Sequence, residues 1–156
     1  MKIIVYTDAS IKNGHKRYAY IILDGEGIIE QHGIIRDDLV EKSCHAELTA
    51  IIKALRAVKK LYNAEHEVLI KSDARDVINI AKYKLSEWAN TEWNLPQSQK
   101  QIAHLWKELY NLTTSRKTSF QWIKRRSDRF AKRCDKLTRI RTQKKNKGFI
   151  IRRIYE

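Results

Sequence analysis

Four carboxylates in this chain stand where runs of regular pattern begin or end. Asp8 follows the apolar run that starts at Lys2, Asp73 closes a second β-rich run from Glu67, Glu47 lies near the start of a long helical pattern, and Asp135 lies in the last one. In the first run Ile3, Val5 and Thr7 share one face and Ile4, Tyr6 and Asp8 the other, which puts Asp8 among residues of buried character. A carboxylate taken out of water stays ionised only beside a cation or hydrogen-bond donors. Three or four at one point cannot all stay ionised without a counter-charge, and hard oxygen donors suit magnesium, with manganese as a substitute. Singly, each has an ordinary use: a turn for Asp8, a helix N-terminus for Glu47, a cap for Asp73, a solvated helix face for Asp135. The chemistry exists only if the fold gathers them.

The elements that must do the gathering follow from periodicity. After the first strand, Asn13 and Gly14 mark a turn, Arg17 to Asp24 reads as a second strand, Gly25 to Gly27 as a tight turn and Ile28 to Gly33 as a third strand, an antiparallel meander. Leu48, Ile51, Ile52, Leu55, Val58 and Leu61 recur at helical spacing. Glu67 to Asp73 is a fourth strand and Asp76 to Lys84 a helix. Residues 85–97 change character, with Trp88, Trp93 and Pro96 among polar residues, and Pro96 bars a continuous helix. Helical spacing resumes at Ile102, Leu105, Trp106, Leu109 and Leu112, Ser119 to Lys124 is a fifth strand, and Asp128 to Arg141 a last helix. The expectation is an α/β domain: a five-stranded mixed sheet with helices on both faces. If the first and fourth strands are parallel neighbours, Asp8 and Asp73 emerge side by side at their C-terminal ends, where α/β sheets place their sites.

Composition sets the partners. The chain of 156 residues suits one domain with a real core. Lys and Arg outnumber Asp and Glu by only 16 to 15 over residues 1–115 but by 16 to 3 over residues 116–156, so 13 of the 14 net positive charges lie in the last 41 residues. Such a cluster attracts a polyanion through counterion release, and nucleic acid is the expected partner, ahead of an anionic membrane surface or a merely solubilising tail. No apolar run is long enough to span a bilayer and Met1 leads straight into a strand, so a cytoplasmic protein is expected, a monomer without a membrane partner. Cys44 and Cys134 are too few and too far apart for a disulfide framework or a zinc site, and both are expected reduced and structural.

Thr7-Asp8-Ala9-Ser10, Ala46-Glu47-Leu48, Ser72-Asp73, and Phe120 to Lys124 followed by Arg133-Cys134-Asp135 resemble the four motifs of the type 1 ribonuclease H family, in the family's order and on matching elements. Each motif alone is weak, and the four together are specific. The resemblance spans about residues 1–142 and implies a ribonuclease H-like catalytic domain, leaving 143–156 as a basic extension. It implies an endonuclease that cuts the RNA strand of an RNA–DNA hybrid with two magnesium ions held by Asp8, Glu47, Asp73 and Asp135. One ion would activate water and the other would stabilise the leaving 3′ oxygen, giving 5′-phosphate and 3′-hydroxyl ends. Hybrid selectivity in such enzymes comes from shape and 2′-hydroxyls in the minor groove.

The chain departs from the family pattern at several places. Ala9 replaces the usual glycine, and Ser43 and Cys44 stand where the family often carries amide side chains that contact nucleic acid. Ser10, Ser43 and Cys44 are the expected minor-groove residues. Arg126 lies where many members carry a mobile histidine; arginine is no general base at neutral pH, so its expected role is to hold a phosphate or steady the leaving group. Residues 82–100 match the family's basic handle in order but hold little charge, so Trp88 and Trp93 either stack on the DNA strand or form a small local core. The polyanion grip is expected to have moved to Lys124, Arg125, Arg126 and Arg129 and to the segment from Arg139 to Gly148, with Phe149 to Tyr155 either an added strand or a partner-binding segment. None of the five histidines is given a role, and His45 is expected at the surface of its helix start.

Two rival functions share these features. Recombinases and junction resolvases use the same fold, and a non-catalytic nucleic-acid binder would tolerate the missing histidine and amides. Loss of function would be expected to remove a metal ligand early, and all four acids are present.

Overall fold

In the computed structural model, which describes residues 1–140 and the backbone of 150–153, alternating apolar residues build a sheet of β1 (Lys2–Lys12), β2 (His15–Leu23), β3 (Gly27–Ile34), β4 (Glu67–Ser72) and β5 (Thr118–Trp122). The helices are α1 (Ser43–Leu61), α2 (Arg75–Tyr83), α3 (Leu85–Asn90), α4 (Ala103–Thr114) and α5 (Arg129–Leu137). A sixth strand, β6 (Ile150–Arg153), pairs antiparallel with β3, so the expected five-stranded mixed sheet gains one edge strand. The order is β5-β4-β1-β2-β3-β6, with β1, β4 and β5 parallel and the rest antiparallel. The remainder of the basic extension, including Arg141 and residues 143–149, lies outside the described residues.

The two sheet faces bury different cores. Ile3 and Val5 of β1 face the stripe Leu48, Ile51, Ile52, Leu55 and Val58 of α1, and α4 packs on the same side. Ile4 and Tyr6 face Cys134 and Leu137 of α5. Strand alternation alone therefore assigns the two helical layers. Beneath the α1–β4 connection, the buried Arg116 donates to the carbonyls of Tyr62, Asn63 and His66, satisfying backbone groups that would otherwise be orphaned. On the other face α5 is docked by polar contacts: Asp128 caps it by accepting from the N–H groups of Phe130 and Ala131 and accepts the Tyr6 hydroxyl at 2.6 Å. Arg133 forms a two-pronged ion pair with the buried Glu30 of β3.

Of the two readings of the handle tryptophans the local core is the one found, and the surface position expected for His45 is corrected. Trp88 is buried and meets Trp106 edge-on at 5.6 Å, and Trp93 meets Tyr110 in the same way at 5.7 Å. Trp88 is thus part of the handle's core and has no free face for a base, while the half-buried Trp93 packs at its margin against Tyr110. His45 is also buried, with only 2% of its surface exposed. Its Nδ1 accepts from the backbone N–H groups of Glu41 and Lys42, so it closes the start of α1 from inside. α1 begins at Ser43, a turn earlier than its apolar stripe, which sets Glu47 one turn into the helix.

Candidate active site

The β1–β4 pairing decides where the acids meet. The parallel register ends at Tyr6 opposite Lys71, and two residues further on each strand carries an aspartate, Asp8 and Asp73. α1 crosses the same end of the sheet and brings Glu47, so that carboxylate oxygens of Asp8, Glu47 and Asp73 lie within 4.8 Å of one another. Asp135 of α5 approaches from the other face and shares a groove wall with Asp8 and Asp73. Three of the four acids thus form a tight cluster and the fourth stands beside it.

The electrostatics record the crowding. Burial, then the neighbouring Asp73, pushes the Asp8 carboxyl up to about 7. Burial, then Asp8 and Asp73, holds Glu47 well above the usual carboxylate range. Asp73 is raised by burial, with Arg125 pulling it the other way and Asp135 adding to the rise. Beneath them Cys134 is buried, its thiol raised by burial and by the four acids, and it donates weakly to the Tyr6 carbonyl. Cys134 and Cys44 are both free thiols. Glu47 Oε2 is buried without a hydrogen-bond partner among the described residues. An orphaned carboxylate oxygen aimed into a cluster of hard donors fits a divalent cation, which would supply the missing partner and the missing charge.

The cations sit around this cluster. The turn from Lys124 to Ser127 lies over Asp73 and Asp135, and Lys124, Arg125 and Arg126 line that side. Arg126 Nε donates to Asp135 Oδ2 at 3.0 Å. A groove of about 630 Å³ runs from the acids past Ser10 and Ser43 to Lys12, His15, Arg17 and Arg139. Ser10 and Ser43 are therefore at the groove as expected. Cys44 packs against the α1 core, and Arg129 lies outside the groove with its guanidinium over Phe130. Sequence reasoning passed over Arg17 and His15, which the β1–β2 hairpin carries to the groove, and Arg75, which lies 4.2 Å from the Trp122 ring centroid beside Asp73.

The profile of the RNase H family matches residues 1–143. The chain belongs to the RNase H family. A ribonuclease H of Chlorobium luteolum is 30% identical over 149 residues, covering 92% of this chain and 97% of that protein. Among solved structures, LC9-RNase H1, described as a type 1 RNase H with the type 2 active-site motif, superposes with a TM-score of 0.72 at 15% identity over 87% of this chain and 69% of that one. LC11-RNase H1, solved in complex with an RNA/DNA hybrid, gives 0.62 at 19% identity, covering 86% of this chain and 92% of that one. RNases H are metal-dependent hydrolases, and the cluster of Asp8, Glu47 and Asp73 fits that requirement. Among the described residues no helix is long and apolar enough to cross a membrane.

Proposed function

We propose that this chain is a cytoplasmic endoribonuclease that hydrolyses the RNA strand of RNA–DNA hybrids. Two magnesium ions, replaceable by manganese, would be held by Asp8, Glu47, Asp73 and Asp135. The observation that carries the reading is the convergence of Asp8, Glu47 and Asp73 within 4.8 Å, with Glu47 Oε2 left without a partner among the described residues. When bound, the ions would supply the Lewis acidity that lowers the pKa of the attacking water and offsets charge on the phosphate.

The rest is the work of the chain's own residues. Asp8, inside β1 just beyond the point where its pairing with β4 ends, and Asp73, one residue past β4, are held in place by the two neighbouring strands. Ser10 and Ser43 offer hydroxyl groups along the groove, suited to 2′-hydroxyls of an RNA strand. Lys124, Arg125 and Arg126 line the site and Arg139 converges with Arg126 on Asp135, so these cations would take phosphate oxygens of a hybrid laid in the groove. The five lysines and arginines of residues 143–156 would add to the attraction for a polyanion without taking part in the chemistry.

The test is a mixed-sequence RNA–DNA hybrid incubated with magnesium and either wild type or Asp8→Asn. Cleavage of the RNA strand alone by wild type, and none by the variant, is the expected result. Preferential cleavage of branched or duplex DNA would select a resolvase, and binding without cleavage would select a non-catalytic module.

A further inference from the structure

Asp135 is treated differently from the other three acids. Its Oδ2 accepts from Arg126 Nε at 3.0 Å and from Arg139 Nη2 at 2.8 Å, and Arg125 Nη2 stands 3.6 Å from Oδ1. Among the described residues, Asp8, Glu47 and Asp73 form no ion pair with lysine or arginine. The charge balance of the site is therefore lopsided, with three guanidinium groups on one carboxylate and none paired to the clustered three.

The backbone around Arg126 is arranged for this contact. Its φ is 55°, a left-handed conformation that costs a non-glycine residue about 1 kcal/mol or more. Ser127 closes the turn by donating to the Lys124 carbonyl at 3.1 Å. On the other side, Arg139 reaches Asp135 from four residues further along the chain, just past the last turn of α5.

We propose that Arg126 and Arg139 are exchangeable counter-charges for Asp135: they hold its carboxylate in the metal-free protein and pass to phosphate oxygens of the bound hybrid once the carboxylate is given over to a divalent ion. This rests on the reading of Asp135 as a metal ligand. Oδ2 already accepts two guanidinium hydrogen bonds and Oδ1 faces Arg125 at 3.6 Å, so an ion taken up by this carboxylate competes with the arginines for its charge and lone pairs. An arginine displaced from a carboxylate keeps its charge at any physiological pH and seeks another oxyanion. Arg139 lines the groove and Arg126 the pocket of the acids, so the nearest replacement is substrate phosphate. The arginines then weaken ion binding in the free protein and strengthen hybrid binding in the loaded one, which makes ion and hybrid bind cooperatively.

The experiment is a Mn²⁺ titration of the full chain, following free Mn²⁺ by electron paramagnetic resonance, for wild type, Arg126→Gln/Arg139→Gln, Arg126→Lys and Asp135→Asn. Hybrid binding is measured alongside in chelator and in calcium, with strand integrity checked. Both arginine side chains are about half exposed, at 47% and 50%, so the substitutions leave the fold intact. The double variant should bind Mn²⁺ about fivefold more tightly, the combined size of two half-exposed charge-pair contributions. Arg126→Lys should stay close to wild type. The double variant should also lose hybrid affinity in calcium but not in chelator. Unchanged Mn²⁺ affinity in the double variant, with Asp135→Asn weakened, overturns the exchange and leaves the ligand assignment standing. Asp135→Asn binding Mn²⁺ as wild type does overturns the ligand assignment itself, and the exchange with it.

Discussion

Trp122 donates its indole Nε1–H to the backbone carbonyl of Asp73 at 3.2 Å, while its ring lies under the guanidinium of Arg75. One side chain at the end of β5 thus holds both ends of the short turn that presents the Asp73 carboxylate. Trp122→Phe keeps an aromatic face for Arg75 and removes only the donor. It should lower kcat about three- to fivefold, the worth of one hydrogen bond of roughly 1 kcal/mol, with the hybrid KM unchanged and the metal requirement raised. Trp122→Ala removes the face as well and should also raise KM. Steady-state kinetics over a magnesium series checks both, and equal losses in the two variants would assign the effect to the ring instead of the N–H.

The raised Asp8 carboxyl sets a pH dependence. In the folded, metal-free protein Asp8 titrates near 7 against 3.8 for an unperturbed aspartate, so between those values the native state binds more protons than the unfolded one. Its contribution to stability is full below about 4 and is lost as pH rises through 7. In chelator, the advantage of Asp8→Asn over wild type should grow across that window and reach about 5 °C or more in Tm at pH 8. Magnesium should restore the wild type and leave the variant little changed. Because protons compete for the same carboxylate, Mn²⁺ affinity should fall as pH drops below 7, which calorimetry in two buffers would detect as proton release on binding.

The Arg133–Glu30 pair is a stability prediction that reaches the site. Glu30 is 5% exposed and both its oxygens are taken by Arg133, so Arg133→Ala leaves a buried carboxylate unpaired. Such a change costs about 3 kcal/mol or more and should appear as a large drop in Tm. Since α5 carries Asp135, Mn²⁺ affinity should fall with it. Replacing both partners with apolar residues, Glu30→Leu and Arg133→Met, should recover most of the stability, as thermal denaturation would show.

The alternation that leads to Asp8 and Asp73 was readable because a period of two is local information, but β1 runs on past Asp8 to Lys12, where pairing with β2 and not its own pattern sets its end. The stripe of α1 was readable for the same reason, whereas the parallel pairing that sets Asp8 beside Asp73 joins residues about 65 apart and entered only as a condition. What was not readable depends on partners far along the chain. For Trp88 and Trp93, set among polar neighbours, stacking on DNA and a small local core stay equally open until α4, some 17 residues later, supplies Trp106 and Tyr110. His45 looks like a surface residue because its partners are backbone N–H groups, which leave no trace in a pattern of side chains. The edge strand β6 pairs with β3 across more than a hundred residues, and no local signal says which edge an added strand will choose.

The distribution of charge yields a last prediction, about grip. Handle residues Lys82 and Lys84 stand near Glu87 and Glu92, and Lys84 pairs with Glu87 at 3.8 Å, so that surface has almost no net charge to give a phosphate. Its interior is occupied by Trp88 packing, which fixes the handle as a folded unit and leaves little of it adaptable. By contrast Lys144, Lys145 and Lys147 have no acid nearer in the sequence than Asp135 and Glu156. If each of the three displaces counterions from one phosphate, changing all three to alanine should flatten the slope of log affinity against log salt by roughly 2 to 3, from the value of about 0.7–0.9 per contact. The same change at Lys82 and Lys84 should leave the slope within error. Hybrid binding between about 50 and 200 mM salt, measured in chelator to exclude cleavage, separates the two surfaces, and a larger effect at the handle would return the grip to residues 82–100.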